Sequence, residues 1–63
     1  MKLQDMIAEN YKLIAWKIAN VKNENRIVVF LRKGEKDFVS SAPCAYTPLE
    51  KAEFNIPTEI VSA

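Results

Sequence analysis

The stretch Arg26-Ile27-Val28-Val29-Phe30-Leu31-Arg32-Lys33 decides how this chain folds. Five apolar residues run without a break, three of them β-branched, and basic residues bracket them. Successive side chains of a β-strand point to opposite faces, so this run makes a strand that is apolar on both. Such a strand belongs in the middle of a sheet. In a chain of 63 residues, covering both its faces is difficult.

On its C-terminal side, Lys33-Gly34-Glu35-Lys36 places the only glycine first of two central turn residues. That is the type II′ choice, whose twist matches the flanking strands. The resulting hairpin sets Arg32 opposite Asp37, Leu31 opposite Phe38 and Phe30 opposite Val39, pairing opposite charges and apolar groups. The third strand runs from Asp37 to about Ser41 and stops at Pro43, which has no amide hydrogen to donate.

On its N-terminal side, Lys22-Asn23-Glu24-Asn25 is a polar turn of unfixed register. It leads back to Tyr11–Asn20, rich in aromatic and β-branched residues, where Ile14, Trp16 and Ile18 alternate with Ala15, Lys17 and Ala19. Leu3, Met6 and Ile7 share one helical face before it. Asn10 stands where a left-handed residue stops a helix. The favoured reading is a helix over 2–9 and a strand over 11–20. The alternative continues the apolar stripe as one helix over 2–21, followed by a hairpin and a short helix.

Beyond the third strand, Phe38 to Leu49 carries no charge, and residues 43–46 read as a loop. Thr47-Pro48-Leu49-Glu50 has the pattern of a helix start, with Thr as cap, Pro in the first position and Glu closing a capping box. Asn55-Ile56-Pro57 ends that helix early, and residues 58–63 form a tail that docks or frays. The expected architecture is α+β in the order α-β-β-β-α: a three-stranded antiparallel meander with a short helix at each end, in one domain. Ile27, Val29, Leu31 and Phe38 form one face, and Val28, Phe30 and Val39 the other. The N-terminal helix is expected to cover the first.

Size limits the core, since domains of about 60 residues bury only about 60% of their unfolded surface. Disulfides, metals or partner chains usually help. Cys44 is the only cysteine and there is no histidine. An internal disulfide is therefore excluded, and the usual zinc ligand set is missing. The remaining routes are oligomerisation or an efficient core. Numbering from Met1 without a visible tag fits a complete small protein. Asp5 and Glu9 interrupt the place of a signal-peptide core, and the five-residue apolar run is too short to span a membrane. With one cysteine and no export signal, the expected compartment is the cytoplasm.

No enzymatic chemistry is expected, and no cofactor or metal. Cys44 lacks an imidazole to activate it, Ser40 and Ser41 lack a base, and Glu50 and Glu53 read as cap and solvated face. Trp16 reads as a core anchor because of its large burial contribution, with a surface hot spot as the alternative.

Two binding functions remain. The first is a protein-binding module acting as an inhibitor or accessory factor, a role common among very small stand-alone chains including those of phages and plasmids. Its surface is the less covered sheet face, Val28, Phe30 and Val39, with Tyr46 from the uncharged loop, and a homodimer is one form of it. The alternative is that the C-terminal helix and tail fold back over this face with Leu49, Phe54 and Ile56. The second is nucleic-acid binding through Lys12, Lys17, Lys22, Arg26, Lys33 and Lys36, interleaved with aromatics as phosphate contact and base stacking require. Net charge is only +1, but residues 12–37 sum to +4 while residues 1–11 sum to −1 and residues 38–63 to −2. Lysines on a sheet edge serve equally to block aggregation, and nucleic-acid readers are usually clearly basic. Protein binding is the favoured reading.

Overall fold

The computed structural model describes residues 1–43 and 47–61. Its elements are a short helix α1 (Leu3–Ala8), strands β1 (Lys12–Val21), β2 (Glu24–Lys33) and β3 (Lys36–Pro43), one 3-10 turn (Leu49–Lys51) and a two-residue strand β4 (Thr58–Glu59). The strands form one antiparallel sheet in the order β1-β2-β3-β4. The expected meander is present with β2 in the middle. The long-helix alternative over 2–21 is excluded, because residues 12–21 are strand.

Local chemistry explains each turn. Helix α1 begins where the Lys2 amide donates to Asp5 Oδ2 at 3.0 Å. Lysine has no acceptor to complete the reciprocal half of a capping box. The helix stops at Asn10, whose φ of 72° is left-handed. The Tyr11 amide reaches back to the Met6 carbonyl and the Asn10 amide to that of Ile7, both at 3.0 Å. This pair of bonds is a Schellman closure, and Tyr11 packs on the core that contains Met6, supplying the apolar contact that accompanies it.

Between β1 and β2, Lys22 and Asn23 have φ of 53° and 66°, the type I′ geometry, and Val21 pairs with Glu24. Between β2 and β3, φ is +65° at Gly34 and not positive at Glu35, as type II′ requires. The pairs Arg32↔Asp37, Leu31↔Phe38 and Phe30↔Val39 form as expected. Strand β3 continues two residues past Ser41, to Pro43.

The C-terminal third departs from expectation. In place of a helix there is one 3-10 turn, with Pro48 at its N-cap and no side-chain cap bond. Ala52 leaves the turn in extended backbone, and the following residues lie along β3. The Asn55 amide donates to the Ser41 carbonyl at 2.9 Å and the Ile60 amide to that of Asp37 at 2.8 Å. Thr58 and Glu59 pair with Val39 and Phe38. The capping-box pattern was overridden because these backbone groups find partners on the open edge of β3, which a helix leaves unpaired.

The core lies on one side of the sheet. Ile27, Val29 and Leu31 of β2 and Ala42 of β3 pack with Met6 of α1 and with Ala52 and Phe54. Helix and C-terminal segment therefore cover the same face. Tyr11 and Phe38 meet edge to face at 5.1 Å on its border. The Phe54 amide donates to the Met1 carbonyl at 2.7 Å and the Met1 ammonium to the Phe54 carbonyl at 3.1 Å, joining the two parts of the cover. The molecule is only 16 Å through its thinnest dimension, about one sheet and one covering layer.

Asn10 gives a direct check on the helix stop. A β-branched residue is strained in left-handed backbone, by about 1–2 kcal/mol, whereas glycine is not. Asn10→Val should lower the urea unfolding free energy by roughly that amount, and Asn10→Gly should leave it equal or higher. Equal midpoints for both variants would contradict the stop.

Candidate docking face

The side of the sheet away from α1 is the candidate site. Register places Val28 and Phe30 of β2, Val39 and Ser41 of β3, and Ala15, Lys17 and Ala19 of β1 on this far face. Val28, Phe30 and Val39 are half-buried. Tyr46 lies outside the described residues.

An open cavity of about 260 Å³ opens here, with Val28 and Val39 as apolar walls and Ser41, Asn55, Ile56 and Thr58 around them. The C-terminal segment makes this cavity by passing along the β3 edge. Ser40 Oγ donates to the Asn55 carbonyl. Ser41 Oγ accepts from Arg26 Nε at 3.1 Å and from Asn55 Nδ2 at 3.5 Å. Both serines thus hold the cavity wall in place. Sequence inspection missed them because their partners lie 14 or 15 residues away and one is a main-chain carbonyl. Of the residues available to cover this face, Leu49 and Phe54 go to the helix side. Ile56 stands at the cavity mouth, 81% exposed.

The basic residues do not gather on one surface. Lys12, Lys17 and Arg26 share the far face by register, while Lys33 and Lys36 project to the helix side. Lys22 sits in the first turn. Arg26 pairs with Glu24 at 3.2 Å, Lys36 with Glu59 at 3.9 Å, and Lys33 Nζ lies 4.8 Å from the Tyr11 ring centre. Among the described residues Lys12, Lys17 and Lys22 form no ion pair.

Arg32 on the far face donates to Asp37 at 2.8 Å. That hydrogen bond holds the Asp37 carboxyl below its ordinary value of 3.8 and raises the guanidinium above its own. Both side chains are well exposed, so the pair is weak.

Trp16 is not the core anchor. It stands opposite buried Val29, and Ile18 opposite buried Ile27, on the helix side of the sheet. Both are 54% exposed, because the cover over β2 and β3 reaches β1 only at Leu13 and does not extend along the strand to them. A register shift between Leu13 and Ala15 marks a β-bulge in this strand. No group of three or more metal-ligating side chains occurs among the described residues, and no helix there is long and apolar enough to cross a membrane. Family models, curated proteins and solved structures yield no match to the chain.

Two outcomes are expected. Leu31→Ala empties a fully buried site and should cost about 2–5 kcal/mol, whereas Trp16→Ala should cost only about 1 kcal/mol in dilute solution. Urea unfolding of the two variants checks this, and comparable losses would return Trp16 to the core. A depressed carboxyl stabilises the fold above its ordinary value and loses that contribution as pH falls through its folded value. The stability gap between wild type and Asp37→Asn should therefore close as pH drops below 3.8. A gap unchanged down to acid unfolding would remove the Arg32–Asp37 contribution.

Proposed function

We propose that this chain is a non-enzymatic cytoplasmic protein-binding module, an inhibitor or accessory factor, that docks its partner on the far face of the sheet. The observation that supports it is an apolar floor of Val28, Phe30 and Val39 opening into a cavity that the described residues leave unfilled. Ligand pockets usually run from about 300 to 1,000 Å³ and enclose most of the ligand. A smaller, open cavity suits one apolar side chain of a protein partner. Lys12 and Lys17 on the same face, which form no ion pair among the described residues, favour a partner with acidic groups around that side chain.

The nucleic-acid alternative has less support, because its six basic residues divide between the two faces and the turns. Nuclease-treated capture on the immobilised protein is the test, with Ile56→Asp and Lys17→Glu as exposed variants that keep the fold. One specific protein should be retained, and each variant should weaken its binding at least about tenfold. Retention unchanged in both variants would place binding elsewhere. Salt-sensitive capture of nucleic acid with no protein would favour the alternative.

A further inference from the structure

The two edges of the sheet are treated differently. The β3 edge is occupied by β4 and by the amides of Asn55 and Ile60. Strand β1 has β2 as its only strand neighbour among the described residues. Its outer backbone groups remain a template for another strand. Beside this edge Trp16 and Ile18 continue the helix-side face of the sheet, half-exposed next to the buried Val29 and Ile27. The core layer therefore takes in Leu13 at the start of β1 but stops short of Trp16 and Ile18.

We infer that a second copy of this chain completes it, by antiparallel pairing of β1 with β1 about a twofold axis at Ile18. The register follows from geometry and charge. The bulge breaks regular pairing before Ala15, leaving Ala15–Val21 as the regular segment, with Ile18 at its centre. With Ile18 facing its copy, Trp16 stands opposite Asn20, Lys17 opposite Ala19 and Ala15 opposite Val21. No like charges face one another, and Trp16 reaches the partner's Ile18 diagonally. Shifting the axis to Lys17 sets two ammonium groups face to face, which is destabilising. Shifting it to Ala19 leaves Trp16 beyond the paired segment. Because the other edge is closed, this pairing ends at two chains instead of propagating into a fibre. The far faces of the copies then form one continuous surface.

Interfaces made by a single edge strand are small, so the dimer should form in the micromolar range. Sedimentation equilibrium should show the apparent mass doubling as concentration rises. The amides on the outer edge of Ala15–Val21 should exchange more slowly with solvent over the same range. Ile18 is half-exposed, so Ile18→Lys and Ile18→Glu should each fold with an unchanged thermal transition at low concentration. Each alone should stay monomeric, because it faces its own charge across the axis. An equimolar mixture should regain the doubled mass. A wild type that is monomeric at millimolar concentration would overturn the inference. So would a dimer that survives in both single variants, or a mixture that remains monomeric.

Discussion

A sheet has two faces and two edges, and a chain of 63 residues has enough remaining length to close only some of them. Strand β2 makes the choice acute, because it is apolar on both sides. Its Ile27, Val29 and Leu31 face takes nearly all the cover, receiving Met6, Ala52 and Phe54. Burying an aliphatic side chain contributes roughly 1.5–3 kcal/mol, so concentrating the cover on one face gives one dry core instead of two wet ones. Val28, Phe30 and Val39 remain half-buried as a consequence.

The edges follow the same economy. Residues 55–60 are held to β3 by backbone bonds and by Ser40 and Ser41. That segment closes an edge and builds a cavity wall at once. Nothing comparable lies beside β1 among the described residues. Among the described residues one face is left uncovered and one edge open, and such surfaces suit other chains. The two surfaces are chemically distinct: a cavity whose Val28 wall has Lys17 as its cross-strand neighbour, and a tryptophan and isoleucine at a strand edge.

Much of the scaffold was legible locally. Asn10 ends the helix and Gly34 sets a hairpin register because left-handed backbone admits few residue types. The two-face division of β2 needed only the strand period. The C-terminal helix was misread for an equally physical reason. Thr47-Pro48-Leu49-Glu50 has a good starting pattern, but a short helix is marginal without a large packed face. Extended backbone along β3 satisfies more polar groups. The site was legible only in part: Val28, Phe30 and Val39 follow from alternation, whereas Asn55, Ile56 and Thr58 reach it through that unforeseen path.

The sequence by itself determined the meander of β1, β2 and β3, the turn at Gly34 and the partition of apolar residues between faces, because each depends on neighbours a few positions apart. Only the tertiary structure decided where the cover went. Trp16 shows the difference. Its place in the strand alternation assigns it to the helix side beside Val29, yet it stands half-exposed. Burial depends on whether distant segments reach a given position, and α1 and residues 49–54 cover β2, β3 and the Leu13 end of β1 but not Trp16.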